Sequence, residues 1–169
     1  MTENLDQQQC QSHGEPDVPA GRLMALDLGR KRVGVAVSDE LQITIRPLPP
    51  LPRTNWKQLL RSVAQSLASF DARALVIGLP LRLDGTAGEA AAEARRIARN
   101  FQLSLSVPVF LQDEKLTSVE ALEGLRAAGY APSQSILMVD SESAAIILRD
   151  FIAGHVSINA GTEGTGGGG

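Results

Sequence analysis

Residues 23–29 read Leu-Met-Ala-Leu-Asp-Leu-Gly, four apolar side chains in a row leading straight into the carboxylate of Asp27. A short continuous apolar run of this kind is the pattern of a buried strand. A carboxylate in such a strand has to be paired, solvated by a cleft, or bound to a metal ion. A turn or capping aspartate just past the strand end suits the same position.

On the C-terminal side, Gly29 to Arg32 supplies a polar turn, and RVGVAVSD is a second β-rich segment. Ser38-Asp39-Glu40 turns again, and QITIRPL makes a third run before Pro47, Pro49, Pro50 and Pro52 end the pattern. Turns this short imply an antiparallel meander. Trp56, Leu59, Leu60, Val63, Leu67 and Phe70 then recur at helical spacing, with Thr54 or Asn55 placed to cap. Ala74 to Pro80 is a continuous apolar run typical of a central parallel strand. Thr86 and Glu89 match capping-box spacing at the head of a second helix through about Asn100. Val107 to Gln112 reads as a last strand ending at Asp113-Glu114. Thr117 and Glu120 open another helix that stops near Gly129, and a final helix runs from about Asp140 to Ala153. The order βββαβαβαα predicts an α/β fold, with a mixed five-stranded sheet and helices on both faces.

The length of 169 residues suits one domain. Residues 1–21 are rich in Gln, Glu, Asp and Pro, and the chain ends in GTEGTGGGG, so 1–21 and 155–169 are expected to be flexible tails around a domain at 22–154. The first twenty residues lack a basic start followed by an apolar run, and no stretch is apolar enough to span a bilayer. The single cysteine, Cys10, can form no internal disulfide. A cytoplasmic protein without a membrane partner is the expectation. The net charge of −3 argues against an indiscriminate nucleic-acid binder. Its distribution says more: all sixteen Lys and Arg lie between Arg22 and Arg149, while five of nineteen acids sit in the tails, leaving the body at +2.

Two further acids join Asp27. Glu114 sits where the last parallel strand leaves the sheet, the edge at which open α/β sheets place ligands, although a surface loop acid fits as well. Asp140 lies four residues before Ala144 and eight before Leu148, which puts it on the packing face of the last helix, at its expected N-terminal end. A helix N-cap explains Asp140 too. Three such acids suit hard divalent cations, Mg²⁺ or Mn²⁺, and two metals can drive in-line phosphodiester cleavage. His13 and His155 lie in or next to the tails, so histidine-centred catalysis is not expected.

Four blocks now stand in order: DLGRKRVGVAVSD (27–39), VIGLPLRLDGTAGE (76–89), DEKLTS (113–118) and VDSESAAIIL (139–148). Together they resemble the YqgF family, described as Holliday-junction-resolvase-like proteins and as pre-16S ribosomal RNA nucleases with an RNase H-like fold. The resemblance covers about Arg22 to Ala153. It implies that the family's three acids fall on Asp27, Glu114 and Asp140, as catalytic residues and metal ligands. It implies phosphate contacts at Arg30, Lys31 and Arg32, with Arg82 and Lys115 also available to nucleic acid. The family usually has Arg where Lys115 stands, so the bidentate fork is lost there. Members also tend to carry basic residues before the third acid, and Ala131 to Val139 has none.

The favoured expectation is a metal-dependent nuclease on pre-16S ribosomal RNA, as a monomer or weak homodimer. Cleavage of branched DNA keeps the same site; a non-catalytic RNA-binding assembly module does not need it. A sugar-kinase-like ATPase, suggested by Asp27-Leu28-Gly29, needs two domains and more chain than is present.

Overall fold

The computed structural model describes residues 17–82, 84–114, 127 and 132–159, without the side chains of 132–139 and 156–159. Its elements are β1 (Leu23–Leu28), β2 (Arg32–Ser38), β3 (Ile45–Pro52), α1 (Trp56–Ser69), β4 (Ala74–Pro80), α2 (Glu89–Ser104), β5 (Val109–Glu114) and a last helix, α3 (Pro132–Asn159). The five strands form one sheet in the order β3-β2-β1-β4-β5. β1, β2 and β3 pair antiparallel through short turns, and β4 and β5 add in parallel, each after a helical crossover.

Alternation along β1 decides which helix covers which face. Met24 and Leu26 join Leu59 and Val63 of α1 and Ile97 and Phe101 of α2 in one core. Leu23 and Ala25 point the other way and meet Ile147, Leu148 and Phe151 of α3. The sheet is therefore covered on both sides, as the element order implied. Asp27 follows the parity of Leu23 and Ala25, so it lies on the α3 face.

Three local expectations are corrected. The prolines that were to end the third strand lie inside β3, which runs to Pro52. β3 is an edge strand, so a missing N–H there costs no ladder bond when it faces outward. The register jumps between Val33↔Leu51 and Val35↔Leu48, leaving Pro49 and Pro50 as a bulge. Second, α2 starts at Glu89 with Gly88 as its cap and no side-chain cap bond. The Thr86 hydroxyl is taken by Asp84 Oδ1 at 2.7 Å, so the capping box does not form. At α1 the cap does form, with Asn55 Oδ1 accepting from the Gln58 N–H at 3.0 Å.

The third correction concerns α3, which begins at Pro132 rather than near Asp140. Proline is well suited to a first helical turn, where its N–H would be unpaired anyway. Asp140 therefore lies inside a helix rather than capping one. α3 also continues to Asn159, past the point where the tail was expected to start. At the other end Val18 packs on the α3-side core, and Gln42 donates to the Pro19 and Gly21 carbonyls, so part of the expected N-terminal tail is tied to the sheet. The expected helix at Thr117 to Gly129 lies outside the described residues, Ala127 aside. Among the described residues, no helix is long and apolar enough to cross a membrane.

Candidate active site

Asp27 and Glu114 approach from two strands that do not touch each other. β1 and β5 flank β4; Gly78 follows Ile77, the partner of Leu26, and so stands level with Asp27, while Glu114 pairs two residues further on with Pro80. A methyl group built on Gly78 would stand 3.1 Å from Glu114 Oε2 and 2.5 Å from Ile147 Cδ1. The missing side chain thus opens the space through which the carboxyl of Glu114 reaches that of Asp27. Glu114 shares the parity of Phe110, which belongs to the α3-side core, so both acids lie on one face.

The two carboxyls are hydrogen-bonded to each other. Burial, then the neighbouring charge and this bond, push Glu114 up to about 8. Burial and the charge of Asp140 push Asp27 up to about 6, partly offset by the bond from Glu114. The directions of these effects place the shared proton on Glu114, donating to Asp27. Neutral pH thus finds the pair holding a proton in the place a cation would take.

Asp140 is brought to the same face by a second glycine. Gly34 on β2 pairs directly with Asp27, and a Cβ there would lie only 1.8 Å from the Asp140 carbonyl oxygen and 2.7 Å from the Ser141 nitrogen. The backbone of α3 rests on this bare position. Ser141, wholly buried, fixes the contact by accepting from the Val35 N–H at 3.2 Å, next to the β3 bulge. The Asp140 carboxylate itself is met by Arg32 Nε at 3.5 Å.

Of the five cationic candidates, Arg32 therefore faces an acid. Arg30 and Lys31 are exposed on the β1–β2 turn, and Arg82 is exposed in the loop after β4. Lys115 lies outside the described residues. Arg53, which the sequence reading passed over, braces the turn: its N–H donates to the Lys31 carbonyl at 2.9 Å and its guanidinium to the Gly29 carbonyl at 2.7 Å. Glu93 of α2 holds the other side of that guanidinium at 2.6 Å. Gly34, Gly78 and Ser141 were also missed. An isolated glycine inside a strand pattern was the available signal for the first two.

Among the described residues, no three His, Cys, Asp or Glu side chains stand close enough to enclose a metal ion as they are. Asp27 and Glu114 form a ready pair, whereas Asp140 is engaged by Arg32. The donor chemistry still fits a hard dication, because neighbouring half-buried carboxyls with raised proton affinity are the groups such an ion relieves.

The family model described as "RuvX: Holliday junction resolvase" matches residues 21–154. The chain belongs to the RuvX family. It is the family that the four sequence blocks resemble. A relative in Syntrophus aciditrophicus (strain SB) is 38% identical over 131 residues, covering 78% of this chain and 87% of that protein. One in Koribacter versatilis (strain Ellin345) is 38% identical over 138 residues, covering 82% and 90%. Both relatives bear the name "Putative pre-16S rRNA nuclease". Among solved structures, T. thermophilus RuvC in complex with Holliday junction substrate aligns with a TM-score of 0.50 at 15% identity, covering 79% of this chain and 94% of that one. That likeness establishes the RNase H-like fold of this RuvX chain.

Two predictions arise from the site. Between the ordinary values of 3.8 for Asp27 and 4.5 for Glu114 and the folded values of about 6 and about 8, the folded chain holds protons that the unfolded chain has released. The pair's contribution to metal-free stability is therefore fully present below about pH 4 and is lost as pH rises to about 8. Urea midpoints measured in chelator at pH 5 and pH 8 check this; a midpoint that rises with pH contradicts it.

The second concerns Gly78→Ala. Its nearest clash is with the flexible end of Ile147, so stability drops by only about 1–3 kcal/mol. Adding Ile147→Val removes that methyl and restores most of the loss. Activity is not restored, since the Glu114 carboxyl remains displaced. Thermal melts and cleavage assays on the single and double variants separate the two effects.

Proposed function

We propose that this RuvX chain is a Mg²⁺- or Mn²⁺-dependent nuclease that hydrolyses phosphodiester bonds of structured RNA, acting at the 5′ end of pre-16S ribosomal RNA in the cytoplasm. One observation carries the reading: two half-buried carboxyls in contact at a sheet edge, a third acid held above them by α3, and an exposed basic turn alongside. The names of the relatives support the RNA substrate.

In this reading Asp27 and Glu114 release their shared proton and present two carboxylates, and Asp140 supplies the third. When bound, the divalent ion supplies Lewis-acid stabilisation of the leaving oxygen and activates the attacking water. Arg32 neutralises Asp140 in the resting protein and is free to meet a phosphate once Asp140 turns inward. Arg30, Lys31 and Arg82 contact the sugar-phosphate backbone, which positions the strand without reading its sequence. Lys115, next to Glu114 in the sequence, is a further candidate for such a contact.

A second reading, cleavage of a four-way DNA junction, is favoured by the family's own description. The two are told apart by incubating the protein with precursor RNA and with a DNA junction, each with Mg²⁺ and with chelator. RNA cleaved only with metal, beside an intact junction, is the expected result. An intact RNA beside a cut junction overturns the substrate assignment, and cleavage undiminished by chelator overturns the metal.

A further inference from the structure

The helices on the other face of the sheet are charged asymmetrically. α1 carries Lys57 and Arg61 with no acid, and α2 carries Arg95, Arg96 and Arg99 against Glu89 and Glu93. Over residues 140–155, α3 has three acids, Asp140, Glu142 and Asp150, and only Arg149 as a basic residue. Together α1 and α2 thus carry a positive excess, five Lys and Arg against two acids.

A cavity of about 210 Å³ opens between the start of α1 and the middle of α2; its lining includes Arg53, Asn55, Trp56, Arg96 and Asn100 and one acid, Glu93, which is paired with Arg53. Pockets for drug-sized ligands run to roughly 300–1,000 Å³, so this one suits a smaller unit. Its contents are mixed. Half-buried Trp56, in contact with Phe101 at 4.8 Å between ring centroids, offers an aromatic surface. Asn100 offers an amide, and Arg96 offers a guanidinium held only loosely by Glu93, at 4.0 Å and with 71% of its side chain exposed. Aromatic surface, amide and a guanidinium only weakly paired with Glu93 together match the base and phosphate of a nucleotide.

The cavity is tied through Arg53 to the β1–β2 turn that follows Asp27. Arg53 forms one of its walls and grips the β1–β2 turn through the Gly29 and Lys31 carbonyls. Arg53 thereby places the cavity beside the turn that carries Arg30 and Lys31.

We propose that this cavity seats one nucleotide of a single-stranded segment next to the scissile bond, its base against Trp56 and its phosphate against Arg96. The proposal rests on the reading of the chain as a nucleic-acid enzyme and adds to it a second contact on the opposite face of the sheet.

Trp56 is the chain's single tryptophan, so its emission reports this cavity alone. The test titrates the full-length protein, in chelator, with a single-stranded RNA of about 10 nucleotides, following Trp56 fluorescence and anisotropy of the labelled RNA. Quenching at saturation is expected. Arg96→Glu should weaken binding about tenfold, and Arg149→Glu, an equal charge change on exposed α3, should have far less effect. Polyglutamate at matched charge should not quench.

Saturation without quenching, equal losses in the two variants, equal quenching by polyglutamate, or no RNA binding at all overturns the proposal. Cleavage assays on the same preparations show which claim has failed. A wild type that cleaves precursor RNA while Arg96→Glu behaves like Arg149→Glu sinks the cavity and spares the nuclease. Quenching that depends on Arg96 in a protein that cuts nothing sinks the nuclease and spares the cavity.

Discussion

Asp27→Asn should lower cleavage of the RNA substrate by about three orders of magnitude or more while making the metal-free protein more stable at pH 8. The loss follows from the site, since the substitution removes the central carboxylate of the three and leaves a neutral amide with no charge for a dication. The gain follows from burial. Asp27 is held up to about 6 because its anion is desolvated and lies near Asp140, and asparagine carries no such anion. Its amide oxygen still accepts from Glu114. The expected stabilisation is on the order of 2 kcal/mol, or roughly 4–8 °C in Tm for a chain of this size. The opposite signs make the test sharp. Wild-type cleavage by the variant removes Asp27 from the catalytic machinery, and lost activity with a lower Tm makes Asp27 a folding residue instead.

Gly34→Ala should be among the most damaging single substitutions in the protein. Its added methyl meets backbone, the Asp140 carbonyl at 1.8 Å and the Ser141 nitrogen at 2.7 Å, and neither can rotate away as a side chain can. Relief requires lifting α3 from the sheet. That movement would break the Val35 to Ser141 bond and loosen the packing of Ala144, Ile147 and Leu148. A loss of about 4 kcal/mol or more is expected, lowering Tm by roughly 8–16 °C. Whatever fraction folds should cleave poorly, because Asp140 moves with the helix. Comparison with Gly78→Ala isolates the cause, as that clash falls on a side-chain end. Equal Tm losses in the two variants would refute the rigid helix-on-glycine contact.

Much of this was legible in the chain. The apolar runs at Leu23 and Ala74, the helical spacing from Trp56 to Phe70 and the order of elements led to the sheet and its layers. Asp27 stood out by interrupting an apolar strand, Glu114 by ending one and Asp140 by its helical spacing to Ala144 and Leu148, and the structure brings Asp27 and Glu114 into contact. What stayed hidden depended on partners distant in sequence. The role of Gly34 exists only because a helix more than a hundred residues later lies on it. Asp140 could not be told from a cap, because its helix starts eight residues earlier, at Pro132, and the apolar run Ile136 to Val139 shows no helical periodicity of its own. Arg32 looked like a phosphate ligand from its place in a basic run, and only the folded chain shows that it faces Asp140. The prolines of β3 misled because a strand at the rim tolerates what an interior strand does not.

That rim has a consequence for self-association. With Pro47, Pro49, Pro50 and Pro52 spread along β3 and a bulge twisting its middle, this side offers a poor template to an incoming strand. Edge-to-edge growth, whether into a continuous intermolecular sheet or towards aggregation, is blocked there by the backbone itself rather than by surface charge.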